Sequence, residues 1–189
     1  FIMCEYSHAM GNSNGGITEY TEYAYEEPRY QGGFIWEYID HGIAVTGPDG
    51  KPSFAYGGDF GDRPTDREFC IDGLVLPDRR NTPKMDAVKA AYAPFQIHCT
   101  DTEAIVENQT LFTNLNAYDL AFASSVNGSP ERRAVLRVDC APGTTVRVAY
   151  PFPLPETGLA CMTVTVVQRA ALPGIPAGHE VACGQVWHN

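Results

Sequence analysis

The chain has 189 residues, of which 44% are hydrophobic and 19% are charged, and this composition is typical of a globular chain with enough apolar material for a core. The formal net charge of −10 argues against nucleic acid or an anionic membrane surface as a partner, because no basic stripe is present to bind either one. No apolar run approaches the length that spans a bilayer.

The first residues predict a β-strand that ends in a carboxylate. Phe1 to Cys4 form an unbroken apolar run, which is typical of a strand buried on both faces, as in a parallel sheet or barrel. A glycine-rich loop and a helical pattern follow, so the segment reads as one βα unit. Residues at the carboxyl end of such strands carry the chemistry, and Glu5 lies there. From position alone, a solvated glutamate at a strand end is an equal alternative.

The helix of this unit is predicted over residues 16–27, where Asn12 or Ser13 is placed to cap it and Pro28 ends it. The chain begins at Phe1, inside the predicted strand and without an initiator methionine. We therefore expect it to be a piece of a longer polypeptide.

A second buried strand is predicted at Phe34-Ile35-Trp36, one helix after the first. Its carboxyl end should lie at the same end of the barrel as Glu5. Trp36 itself has two interpretations. It is a core residue, or it is an aromatic platform for the apolar C–H face of a sugar ring.

Residues 41–75 read as loops rich in glycine, proline and aspartate, with a hairpin turn at residues 47–50. Four of the five aspartates in this stretch lie after the hairpin turn and offer hard oxygen donors of the kind that bind Mg²⁺, Ca²⁺ or Na⁺. Their spacing does not fit an EF-hand, so composition alone predicts turn formers. These aspartates are Asp59, Asp62, Asp66 and Asp72.

The rest of the chain predicts one helix and then an all-β region. Pro83 to Ala93 carries an apolar stripe at helical spacing, and Pro94 ends it. From residue 95 onward, about seven short strands separated by turns predict an immunoglobulin-like β-sandwich. The expected strands are 95–99, 104–107, 119–126, 134–139, 144–150, 161–168 and 180–187, with a hairpin at Asn127-Gly128. The predicted domains are therefore residues 1–94 and 95–189.

Isolated reactive residues carry little signal. The six cysteines are scattered without a C-x-x-C pair, so we expect reduced, buried thiols rather than a zinc site. His98, His179 and His188 are expected at the surface or on strand edges. The glycine-rich loop at residues 11–16 is not followed by Lys-Ser/Thr, so it is not a P-loop.

Three stretches together resemble a known family. The string from Cys4 to Ser13, CEYSHAMGNS, closely resembles the nucleophile segment of glycoside hydrolase family 2, in its bacterial lactose-cleaving β-galactosidase branch. Residues 31–40 resemble a second segment of the same family. Residues 56–62 together with residues 69–75 resemble a third, and the three follow one another in the family's order. The resemblance is strong over roughly residues 1–95 and weak beyond.

The resemblance implies a fold and a chemistry. The fold is the last βα units of a (β/α)₈ TIM barrel followed by an immunoglobulin-like domain, and the reaction is retaining hydrolysis of terminal β-D-galactose. Glu5 matches the nucleophile, which would form a galactosyl-enzyme ester. Tyr6, His8 and Trp36 would bind the sugar, although His8 is alternatively a loop-capping residue.

The same resemblance implies bound cations. The Phe69 carbonyl and the Asp72 side chain match ligands of Na⁺ or K⁺ beside the sugar, and Asp72 is also expected to contribute to substrate binding. Well-known family members have Asn at the position of Asp72. Thr65 replaces an Asn that supports an outer Mg²⁺ site, which counts against that site here, and most Mg²⁺ ligands would lie outside this chain.

The family's acid/base glutamate lies earlier in the barrel, so we expect this chain alone to be inactive. Its expected partners are the β-galactoside substrate, the remainder of its own polypeptide and, in a homo-oligomer, further copies; a cytoplasmic location is implied. The alternative is a non-catalytic β-sandwich that binds carbohydrate or acts as a scaffold. Residues 95–189 alone would fit it, but such a module has no use for Glu5, Trp36 and the aspartate-rich loop in this order.

Overall fold

The computed structural model describes residues 1–189 and divides into two compact units, Phe1–Tyr92 and Ala93–Asn189. The division predicted from sequence falls between residues 94 and 95. Neither of the two α-helices has the length and apolarity needed to cross a membrane.

The first unit combines short strands with two helices. β1 and β2 pair in parallel with α1 between them in sequence, which confirms the predicted βα arrangement. β3 and β4 form an antiparallel hairpin around the predicted turn at residues 47–50, where the Gly50 N–H donates to the Gly47 carbonyl at 2.9 Å. The elements are β1 (Met3–Tyr6), α1 (Ile17–Glu26), β2 (Gly33–Ile35), β3 (Ile43–Thr46), β4 (Pro52–Ala55) and α2 (Pro83–Ala91), with a 3₁₀ turn at Arg67–Cys70.

The prediction of a strand buried on both faces is wrong at the start of the chain. Phe1 and Ile2 are 70% and 61% exposed, and β1 begins only at Met3. The reason is that β1 has one hydrogen-bonded neighbour, β2. The small core of this unit instead consists of Tyr6, Ile17 and Ala91, from β1, α1 and α2.

The predicted cap of α1 is also wrong. Gly16 is the capping residue, with φ at 72° and no side-chain hydrogen bond to the helix. Positive φ at this position favours glycine over a residue with a Cβ. Asn14, which precedes the cap, accepts a hydrogen bond on Oδ1 from the Ser7 hydroxyl at 2.7 Å and so braces the loop instead.

The second unit consists of two antiparallel sheets that enclose one core. One sheet has the order β5-β6-β9 and the other the order β11-β10-β7-β8. Phe95 and Val106 from the first sheet and Phe122, Met162 and Val164 from the second are buried in the same cluster. The strands are β5 (Phe95–Cys99), β6 (Glu103–Asn108), β7 (Asp119–Val126), β8 (Ser129–Leu136), β9 (Thr145–Ala149), β10 (Ala160–Val167) and β11 (Glu180–His188).

All seven predicted strands of this unit exist, and β8 is the one whose bounds differ most. It was expected at residues 134–139 but begins at Ser129, because Asn127 and Gly128 both adopt positive φ, at 49° and 80°, and form a tight two-residue turn. Pairing therefore resumes at once, with Val126 opposite Ser129. The charged start of β8 suits an edge strand, which discourages pairing with another chain.

The cysteine prediction is correct in part. None of the six cysteines forms a disulfide, and Cys99, Cys140 and Cys161 are buried. Cys4 and Cys183 are exposed, contrary to expectation, because β1 and the outermost strand β11 each leave one side of the strand open. His98, His179 and His188 are exposed as predicted.

The sandwich core offers a matched pair of phenylalanines. Phe122 is 1% exposed and Phe112 is 91% exposed. Replacing Phe122 with Ala should lower the free energy of unfolding by about 3–5 kcal/mol, because the substitution leaves a cavity in the core. Phe112→Ala should change it by less than about 0.5 kcal/mol. Urea denaturation of both variants measures the difference, and equal effects would contradict the assigned core.

Candidate active site

The candidate site is organised around the buried side chain of Asp72, which is 2% exposed. Its Oδ2 accepts a hydrogen bond from the indole N–H of Trp36 at 3.0 Å. The Nε2 atom of His8 lies 3.4 Å from the same oxygen. One carboxylate oxygen thus holds two of the residues that the sequence predicted to contact substrate.

Backbone hydrogen bonds bring these three residues together. β1 and β2 run in parallel, so the segments that follow them leave from the same edge of the sheet. Beyond the strands, the Ala9 N–H donates to the Trp36 carbonyl at 2.6 Å, and the Glu37 N–H donates to the Asp72 carbonyl at 2.9 Å. The loop after β1, the segment after β2 and the chain around residue 72 therefore form one framework.

Gly73 allows this framework to close. A Cβ atom at residue 73 would lie 2.1 Å from the backbone nitrogen of Asp40, a distance that no side chain tolerates. In return, the Gly73 N–H donates to Oδ1 of the buried Asp40 at 2.7 Å. The close approach fixes the backbone immediately after Asp72.

A cavity of about 350 Å³ lies at this framework. His8 flanks its wall, with its ring centroid 5.7 Å from that of Phe69. Trp36 is 41% exposed, so its ring keeps an accessible surface while Asp72 fixes its polar edge. The residues around the cavity include Trp36, Glu37, His41, Thr65, Phe69 and Asp72.

Glu37 adds a second carboxyl group that sequence reasoning missed. Burial, followed by the hydrogen bond and the negative charge of Asp72, raises the pKa of Glu37 above its ordinary value, while His41 acts in the opposite direction. The His41 Nε2 atom lies 3.0 Å from Glu37 Oε1. The only signal in the sequence was the i, i+4 spacing of Glu37 and His41, directly after Trp36.

Glu5 lies within β1 and is exposed to solvent. It is not among the residues that line the cavity around Asp72. The strand that carries it is paired with β2, the strand that leads into Trp36, and the Trp36 N–H donates to the Tyr6 carbonyl at 3.2 Å. Glu5 is therefore accessible to a ligand bound at the edge of the sheet where the segment with Trp36 begins.

The expectation that Tyr6 contacts substrate stays a prediction, although its side chain lies in the core of this unit. Tyr6 is buried against Ile17 and Ala91, and its hydroxyl shares a hydrogen bond with the Tyr92 hydroxyl. Burial is the main cause that raises the pKa of Tyr6 above its ordinary value. Successive side chains on a strand point to opposite sides, so Tyr6 faces the core when Glu5 faces solvent.

Two of the aspartates predicted as turn formers within residues 41–75 do form turns. Asp59 Oδ2 accepts from the Tyr56 N–H, and Asp62 Oδ1 accepts from the Gly58 N–H, each at 2.9 Å. No group of three or more His, Cys, Asp or Glu side chains is placed to hold a metal ion. Asp72 differs from the other aspartates, because its Oδ1 atom is buried and has no hydrogen-bond partner.

Comparison with known proteins gives this arrangement a context. Residues 1–97 match the family model described as glycosyl hydrolases family 2, TIM barrel domain, and residues 104–189 match the one described as beta-galactosidase, domain 4. The chain belongs to glycoside hydrolase family 2.

Individual relatives of this family member agree with that assignment. The chain is 41% identical over 188 residues to a beta-galactosidase of Halalkalibacterium halodurans and 40% identical over 190 residues to the beta-galactosidase BgaC of Bifidobacterium adolescentis. A beta-galactosidase of Streptococcus thermophilus is 38% identical over 186 residues. Each match covers 98% of this chain but 18% of the relative, so the chain spans about a fifth of the length of these proteins. The resemblance to the family predicted from the sequence is confirmed.

The Asp72 hydrogen bonds predict a measurable effect on Trp36. Asp72→Ala removes the acceptor, so the Trp36 indole N–H resonance should shift toward that of an exposed indole, and unfolding should become easier by about 1–3 kcal/mol. Asp72→Asn keeps a side-chain oxygen and should retain the bond. In NMR spectra, Trp187 serves as the internal control, because it lies in the other unit. An unmoved Trp36 resonance in the alanine variant would contradict the hydrogen bond.

Proposed function

We propose that this chain supplies the nucleophile segment of a retaining β-galactosidase, which releases terminal non-reducing β-D-galactose from lactose and related β-galactosides. The observation that carries the proposal is the joint position of Glu5, His8 and Trp36 on two paired parallel strands and the segments after them, in a chain of this family. The relatives that share 38–41% of its residues are named beta-galactosidases, which supports the choice of sugar.

In the proposed mechanism, the Glu5 carboxylate attacks the anomeric carbon and forms a covalent galactosyl-enzyme ester. A second carboxyl group protonates the departing glycosidic oxygen and later activates the water that hydrolyses the ester, and in retaining enzymes the two groups lie about 5–5.5 Å apart. We assign that second group to a part of the polypeptide beyond these residues. Exposure of Glu5 supports its role, because an attacking carboxylate must be ionised and accessible.

The residues around Asp72 would hold the sugar during this reaction. The exposed part of the Trp36 ring offers a surface for the apolar face of galactose, and His8 offers a ring nitrogen to a hydroxyl group. Both side chains are held by the same oxygen of Asp72. Preorganisation of this kind lowers the entropy that is lost when the substrate binds.

We propose that Na⁺ or K⁺ binds Asp72 together with the Phe69 carbonyl. The support is the buried and unpartnered Oδ1 atom of Asp72, since a buried acceptor without a donor is costly. Such a cation would supply positive charge beside the sugar hydroxyls. Thr65 has no comparable support as an Mg²⁺ ligand, because its Oγ1 accepts from the Arg67 N–H at 3.1 Å. We assign Mg²⁺ to ligands elsewhere in the polypeptide.

The second unit is proposed to be immunoglobulin-like. Its support is the division of seven antiparallel strands into two packed sheets, β5-β6-β9 and β11-β10-β7-β8. Connections such as the one from β6 to β7 pass from one sheet to the other. Assembly into a homo-oligomer and a cytoplasmic location stay predictions from the family resemblance.

The nucleophile proposal predicts the effect of Glu5→Gln in a polypeptide of the relatives' length that carries this segment. Loss of the attacking charge and of the covalent intermediate should lower kcat by a factor that corresponds to about 4 kcal/mol or more. KM should change much less, because His8 and Trp36 remain. Glu22→Gln on the exposed face of α1 is the matched control. Hydrolysis of an aryl β-galactoside measures both, and full activity of Glu5→Gln would refute the assignment.

The same proposal predicts that the 189-residue chain alone does not hydrolyse an aryl β-galactoside. The physical reason is that the acid/base group is assigned to residues outside this chain, and Glu5 cannot act both as nucleophile and as acid toward the same bond. Turnover by the purified chain, abolished by Glu5→Gln, would show that the second carboxyl group lies within these residues.

A further inference from the structure

A second cavity, of about 390 Å³, lies entirely within the all-β unit. Three parts of the unit form it. The turn between β5 and β6 contributes Asp101 and Thr102, the connection from β9 to β10 contributes Tyr150 and residues 152–156, and the end of β11 contributes His188. The volume is at the lower end of the range of small-molecule sites, roughly 300–1,000 Å³.

The aromatic side of this cavity is held rigidly. Tyr150 is half-buried and donates its hydroxyl hydrogen to the Thr100 carbonyl at 2.6 Å. Phe152 and Leu154 pack on the sandwich core while remaining partly accessible. Prolines at 151, 153 and 155 alternate with these residues, and each restricts its own φ angle. The rings are therefore fixed before any ligand arrives.

The polar side of the cavity has unused hydrogen-bonding capacity. The side chain of Asp101 is 71% exposed, and the Nδ1 atom of His188 lies 3.9 Å from its Oδ1, which is beyond hydrogen-bond distance. Glu156 also lines the cavity and is exposed. Two carboxylates and an imidazole thus line the cavity without satisfying one another.

We propose that this cavity is a saccharide-binding site. An aromatic ring packs against the apolar C–H face of a pyranose, and carboxylates accept hydrogen bonds from its hydroxyl groups. Hydroxyl groups also accept, and the imidazole of His188 offers a donor beside Asp101. A cationic ligand would use acceptors only, so the mixed lining favours a sugar. This site is separate from the one at Asp72, and it does not depend on the nucleophile assignment.

Residue-resolved NMR of the complete chain tests the proposal, with methyl β-D-galactoside and methyl β-D-glucoside as probes and arginine methyl ester as the cationic comparison. At least one glycoside should produce saturable shifts in the amides of the non-proline lining residues, which are Asp101, Thr102, Tyr150, Phe152, Leu154, Glu156 and His188. The double variant Asp101→Asn/Glu156→Gln should weaken that binding by about fivefold or more, because each carboxylate loses charge-assisted hydrogen bonds. Both side chains are exposed, so the thermal midpoint should hold.

Glu131→Gln is the matched control, since Glu131 is an exposed glutamate on β8 that does not line the cavity. It should bind the glycoside as the unmodified chain does. The absence of saturable shifts at these residues with either glycoside up to about 50 mM would overturn the proposal, because a dissociation constant above that concentration means negligible affinity. Shifts confined to residues 1–92 would also overturn it. So would saturation by arginine methyl ester alone. Unchanged affinity in the double variant would also contradict the assigned contacts.

Discussion

The hydrogen bond between the Trp36 indole and the buried Asp72 carboxylate is the interaction on which the candidate active site depends. A buried carboxylate is costly unless donors surround it, and hydrogen bonds to charged groups contribute about 1.5–3 kcal/mol each. Asp72 meets this requirement at Oδ2 only, where Trp36 donates and His8 lies at 3.4 Å. Its backbone carbonyl also accepts from the Glu37 N–H. The loop after β1 and the segment after β2 are thereby bound to a third segment that is distant in sequence.

This constraint relates the fold to the chemistry proposed for it. Parallel pairing of β1 and β2 places Glu5 beside the segment that carries Trp36, directly after β2, and Asp72 then fixes the orientation of Trp36 and the position of His8. Glu37 is drawn into the same framework, and its raised pKa reflects burial and the nearby Asp72 charge. One oxygen of Asp72 remains unpartnered, which is the physical basis for a cation there. A glutamate on an exposed strand alone would not constitute a site.

Sequence reasoning succeeded where the signal is local and failed where it depends on distant partners. The alternating strands of the all-β unit and the Asn127-Gly128 turn were predictable, because side-chain period and positive φ are properties of adjacent residues. The exposure of Phe1 was not, since burial requires a second neighbouring strand. The hydrogen bond between Tyr6 and Tyr92 was not predictable either, nor was the raised pKa of Glu37, which is caused by burial and then by Asp72. Both partners lie far away in sequence.

The most direct test of the central claim is covalent labelling in a polypeptide of the relatives' length that carries this segment. A mechanism-based 2-fluoro-galactoside slows hydrolysis of the glycosyl-enzyme ester, so the intermediate accumulates and the labelled peptide can be mapped by mass spectrometry. The account predicts a label on Glu5 and none in the Glu5→Gln variant. A label on Glu19, Glu37 or any other carboxylate would contradict it.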